Sequence, residues 1–177
     1  MSNWLRLCLD LNIWCAALLA DRKGKQDTAC QSLVKIVREG TCALGSVQLI
    51  ISWGMLNRLS SVLVEKLKIP DHIADLYIDT IKDYAEARIV GSPQLTLGGT
   101  GVIPLHDIED RHVLETALAG QASILVTANL KDFLAKDTKI VTLNEHLIYP
   151  TYRPSLHIVK PYLMMAWMRN QDIPELF

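Results

Sequence analysis

Three aspartates are the residues of this chain best suited to chemistry. Asp10 closes the apolar run Leu5-Arg6-Leu7-Cys8-Leu9. Asp107 and Asp110 lie far downstream, where Asp107-Ile108-Glu109-Asp110-Arg111-His112 leads into a helical pattern. Beyond that, Ser123-Ile124-Leu125-Val126-Thr127-Ala128-Asn129 is a second apolar run with a polar end. Carboxylates converging from strand ends and helix starts make an oxygen-rich pocket, which suits a hard divalent cation such as Mg2+ or Mn2+. Such a cation supplies what phosphodiester hydrolysis needs, an activated water and charge relief for the leaving oxygen. The pocket exists only if the strands ending at Asp10 and Thr127 are neighbours. A parallel α/β sheet places strand C-terminal ends along one crevice.

The elements needed for this can be read along the chain. Short apolar runs alternate with helical periodicity, which predicts an α/β fold with a mainly parallel central sheet. Trp4 to Asp10 reads as the first strand and Asn12 to Leu19 as a short helix. Asp27 or Thr28 caps the next helix, and Gly40 ends it. Val47 to Ile51 is the second strand, after which Ser52 caps a helix carrying Leu56, Leu59 and Leu63. Asp71 caps a helix running through Ala87, and Ile89-Val90 is a short strand. The cluster Gly98-Gly99-Thr100-Gly101 reads as a loop, because no Lys-Ser/Thr follows it and no helix opens from it. Asp110 to Gly120 is a helix, Ser123 to Thr127 a strand, Leu130 to Leu134 a short helix and Lys139 to Thr142 a strand. Asn144 to Ser155 reads as a loop and His157 to Val159 as a sheet edge. Pro161 starts a last helix ending near Arg169.

Bulk properties bound the function classes. The length, 177 residues, suits a single domain over residues 1–177. A net charge of −1 gives no global basic footprint for tight non-specific nucleic-acid binding. No apolar run is long enough to span a membrane. Leu11 to Ala20 is apolar but follows Asp10 and Arg6 and lacks a cleavage site, so it reads as mature sequence. Cys8, Cys15, Cys30 and Cys42 have no Cys-x-x-Cys spacing, which fits reduced thiols in a cytoplasmic protein. The five histidines show no paired zinc spacing. Trp14, Trp53 and Trp167 sit in apolar helical patterns and are expected in the core or at an interface, not as base-stacking platforms.

Leu9-Asp10-Leu11-Asn12, the acidic turn and helix from Asp107 to Gly120, and the run from Ala122 to Phe133 together resemble the PIN-domain family, in particular its VapC-type toxin branch. The resemblance implies a three-layer α/β/α fold and a metal-dependent ribonuclease. It implies Asp10 and Asp110 as metal ligands, with Asp107 and Asn129 also at the catalytic centre. Asn12, Asn57, Thr127 and Asp132 take supporting places. RNA, an antitoxin and a second copy of the chain are the implied partners. Two positions depart from the family pattern: the acids expected at 57 and 129 are asparagines. Neutralising two carboxylates weakens the pull on a cation, which leaves open a second reading, a weak or inactive module that binds RNA or protein. The plain alternative for Asp10, Asp107 and Asp110 is helix capping.

Overall fold

A computed structural model describes residues 4–87, 95–96, 108–135, 137–151 and 155–174. The elements in chain order are β1 (Trp4–Leu9), α1 (Leu11–Arg22), α2 (Ala29–Glu39), β2 (Thr41–Cys42), β3 (Gly45–Ser52), α3 (Trp53–Ser61), α4 (Asp71–Glu86), β4 (Leu95–Thr96), α5 (Ile108–Ala119), β5 (Ile124–Val126), β6 (Lys139–Thr142), β7 (His146–Tyr149), β8 (Leu156–Val159) and α6 (Pro161–Asn170). The expected strand at Ile89-Val90, the glycine cluster, His106 and Asp107 lie outside the described residues.

The strand order is β2-β3-β1-β5-β8-β7-β6, with β4 beside β3. β1 runs parallel to both β3 and β5, and β5 runs parallel to β8. β7 is antiparallel to β6 and to β8, and β2 is antiparallel to β3. The sheet is therefore mixed, with a parallel centre, and not mainly parallel throughout. Val47 to Ser52, Leu7 to Leu9, and all of β5 and β8 are continuously buried. Unbroken burial means both sheet faces are covered, as a layered α/β arrangement requires.

Local signals explain the helices. Thr28 caps α2 through a capping box with Gln31, and Gly40 ends it in the left-handed conformation at φ 64°. Ser52 Oγ accepts from the Met55 N–H and caps α3. Asp71 is the first residue of α4 and not its cap; Pro70 holds that position without a side-chain bond. Asp110 likewise sits inside the first turn of α5. Gly120 lets the end of α5 close on the sheet: a Cβ there would come within 2.1 Å of Ile50 Cγ2.

Two further expectations are corrected, and a third is narrowed. Residues 144–155 are not all loop, because His146–Tyr149 forms β7. Its short run of β-favouring side chains is flanked by turn residues, and pairing on both edges stabilises it where propensity alone does not. His157 to Val159 belongs to an interior strand, β8, paired on both sides. Trp53 is 40% exposed and is not core; Lys82 Nζ stands 5.2 Å from its ring centroid. Trp14 and Trp167 pack as expected, at 0% and 8% exposure.

The β7–β8 ribbon buries a histidine pair that sequence spacing does not reveal. His146 Nε2 and His157 Nδ1 are 2.9 Å apart, and both rings meet the edge of Trp167. Burial lowers both imidazoles, and His157 also presses on His146, which falls to about 4. A base held below its unfolded value stabilises the fold fully above the unfolded pKa, and that stability is lost as pH falls toward the folded value. Urea denaturation is expected to show a loss of about 2–3 kcal/mol between neutral pH and pH 4 from this source. Replacing the pair by His146→Phe with His157→Leu should flatten that part of the pH profile.

Candidate active site

The site is built where β1 and β5 end. Leu9 pairs with Val126 in a parallel register, and the Asp10 N–H continues the ladder by donating to the Val126 carbonyl at 2.9 Å. The Thr127 N–H donates to the Val159 carbonyl at 3.0 Å. Three strands thus finish at one edge, and their next residues face a common crevice.

Asp10 is 5% exposed and is held by donors from three residues. Its Oδ1 accepts from the Leu11 N–H at 2.6 Å. Its Oδ2 accepts from Asn12 Nδ2 at 2.9 Å and from the Thr127 hydroxyl at 2.7 Å. The capping role and the site role therefore coexist in this one carboxylate. Asn12 Nδ2 also reaches Thr127 Oγ1 at 3.2 Å, and Asn12 Oδ1 accepts from the Ala128 N–H at 3.2 Å. Thr127 Oγ1 in turn accepts from the Asn129 N–H at 3.0 Å. Asn129 Nδ2 donates to Asp132 Oδ2. Five of the residues expected from sequence, Asp10, Asn12, Thr127, Asn129 and Asp132, are thereby linked in one hydrogen-bonded group.

Electrostatics set this group apart. Burial pushes the Asp10 carboxyl above its ordinary range, against the hydrogen bonds from Thr127, Leu11 and Asn12 that pull it down. The charge of Asp132 raises it further. Two like charges beside each other, one of them desolvated, are stabilised by a cation more than by water.

The other expected residues stand across a groove. A cavity of about 530 Å³ is lined by Leu11, Gly54, Asn57, Arg58 and His112, among others. Leu11, the residue after Asp10, and His112 of α5 line this groove, whereas Asp10 and Asp110 are not among its lining residues. Asn57 is exposed on α3 and belongs to the groove wall, not to the hydrogen-bonded group around Asp10. The Thr116 hydroxyl donates to Ser52 Oγ at 2.8 Å and ties α5 to the start of α3. Sequence reasoning missed His112 as a groove residue. Spacing gave no signal for it, because residues two apart on a helix face different ways and the packing of α5 beside α3 is not visible in the chain.

No cluster of three or more His, Cys, Asp or Glu side chains is preassembled to cage a metal among the described residues. A hard divalent cation needs no such cage. Mg2+ is held through one or two carboxylates with water and substrate oxygens completing the shell, not by an all-protein cage. Asp10 and Asp132 supply anionic oxygen at the strand edge, and the Asn129 amide adds a neutral oxygen. No helix among the described residues is long and apolar enough to cross a membrane.

A family model described as PIN domain matches residues 6–131, a span that runs from β1 through the Thr127–Asn129 turn. No curated protein and no solved structure matches the chain.

Proposed function

The chain belongs to the PIN-domain family, and from that premise we propose that it is a divalent-metal-dependent endoribonuclease of the VapC-like kind, acting as a single domain. The observation that carries this reading is the buried Asp10 carboxylate, oriented by Leu11, Asn12 and Thr127 beside a second carboxylate. Asp10 and Asp110 hold the cation in this reading, with Asp107, Asn129 and Asp132 as further oxygen donors around it. A cation held there, Mg2+ or Mn2+, would supply an activated water and charge relief for the leaving oxygen. The chain's own work is positional. Thr127 and Asn12 donate to Oδ2 of Asp10, which leaves Oδ1, engaged only by the Leu11 N–H, the freer oxygen for a ligand. The groove between α3 and α5 receives the strand, with Asn57 and His112 on its walls. An antitoxin and a homodimer follow from the toxin-like reading.

A second reading is favoured by Asn129. Its amide nitrogen is committed to Asp132, so a position where the family carries an acid here adds no charge. A site so weakened would bind RNA or a protein partner without cutting.

Calorimetric titration with Mn2+ and a cleavage assay on mixed RNA separate the two. Metal uptake with endonucleolytic cleavage that EDTA stops is the expected result. RNA binding with neither metal uptake nor cleavage would establish the binding module instead.

A further inference from the structure

We propose that a second cavity, on the far side of α1 from the groove, is a shelf for the phosphates of the single-stranded RNA substrate. This deepens the ribonuclease reading and rests on it for the identity of the strand. The cavity has a volume of about 400 Å³ and is lined by Lys23, Lys25, Lys160, Thr28, Ala128 and Tyr162, among others. Three of its lining side chains are cationic and none is anionic.

Its location ties it to the acids. Ala128 lines the cavity, and its N–H donates to Asn12, whose amide donates to Asp10. Lys160 directly follows Val159, the residue whose carbonyl accepts from the Thr127 N–H. The lysine therefore stands at the same strand edge as Asp10, two strands along in the order β1-β5-β8. Leu11 faces the groove while Ala16 and Leu19 face the shelf. A strand lying over Asp10 has the groove on one side and the lysines on the other.

The charge of Lys23 and Lys160 is less compensated than that elsewhere on this surface. Lys35 and Arg38 line a neighbouring cavity together with Asp21 and Asp27, which Lys25 also reaches, and both approach the Glu39 carboxylate at 3.9 Å. No carboxylate among the described residues lines the shelf itself. The first turns of α2 and α6 also open onto it, at Ala29, Cys30 and Tyr162, and helix N-termini favour anions. Tyr162 is 79% exposed, although it belongs to a helix that buries Met164, Trp167 and Met168. An exposed aromatic ring beside a row of lysines is the combination that holds single strands, with charge on the backbone and a base stacked on the ring.

The test is fluorescence anisotropy of a labelled oligouridylate in EDTA over a potassium chloride series. The variants are Lys23→Gln/Lys25→Gln/Lys160→Gln, Tyr162→Ala, Tyr162→Trp and, as a control face, Lys35→Gln/Arg38→Gln. All these side chains lie on the surface, and circular dichroism checks each fold. The triple variant is expected to bind about tenfold more weakly, with its salt slope shallower by about 2, since each phosphate contact on a single strand contributes about 0.7. Tyr162→Ala should weaken binding several-fold and Tyr162→Trp should retain it. Unchanged affinity in the triple variant, or an equal loss in the control pair, overturns the proposal. So does a triple variant that keeps RNA but loses binding to polyglutamate, which would make the occupant an acidic protein segment. Because binding is read without metal, an inert protein that still holds RNA through these lysines overturns the nuclease reading and supports this one.

Discussion

Asp10→Ala is expected to lower Mn2+-dependent RNA cleavage by about 100-fold or more. The position of this carboxylate is set from three directions, by Leu11, Asn12 and Thr127. Removing it takes away a ligand charge and leaves the Asn12 amide and Thr127 hydroxyl aimed at empty space. Stability should respond in a way that separates a ligand from a packing residue. Burial and Asp132 raise the Asp10 pKa in the folded state. Between the unfolded carboxylate value and that raised value, the folded state binds more protons than the unfolded one. Stability therefore falls as pH rises through this window, and the penalty persists at neutral pH. A bound cation offsets it. Mn2+ should raise the melting temperature of the native chain, and this increment should vanish in Asp10→Asn, which keeps the side-chain shape. Equal metal stabilisation in the native chain and Asp10→Asn would remove Asp10 from the metal site.

Asn129→Asp is expected to act in the opposite direction, tightening Mn2+ binding by about 30-fold and raising cleavage with it. A new charge about 4 Å from a divalent cation is worth about 8 kcal/mol at an effective dielectric near 20. Repulsion from Asp132 and Asp10 and desolvation of the new carboxylate cancel most of that, which leaves about 2 kcal/mol. The same substitution breaks the donation from Asn129 Nδ2 to Asp132. The metal-free variant should consequently be less stable than the native chain at neutral pH and recover as its carboxyls are protonated. Calorimetry reads the affinity and thermal melting reads the cost. Affinity unchanged from the native chain would place residue 129 outside the metal's reach and favour the binding-module reading.

The parts of this protein legible in the sequence are those governed by local physics. Helix α2 was readable from Thr28 and Gly40 because capping and left-handed termination are decided within a few residues. The ends of β1 and β5 were readable because a buried strand shows as an apolar run that stops at a polar residue. A pocket at Asp10 required its strand to neighbour the one ending at Thr127, and the register pairs those strands. The sequence pattern did not disclose β7, whose four residues form a strand only because β6 and β8 pair with both of its edges. It also hid the stacking of His146 on His157, since the two lie on different strands and meet through an antiparallel register.

Charge shows the same division. The net value of −1 gives no global basic footprint, and it does not show that Lys23, Lys25 and Lys160 converge on one cavity. Composition sums charge over the whole chain, whereas a ligand meets only the charges that folding gathers at one place. The sequence alone determined which atoms this protein has for chemistry, a set of oxygen donors at strand ends. The tertiary structure decided which of them meet, because distance between side chains depends on strand order and helix packing, and neither is written in spacing along the chain.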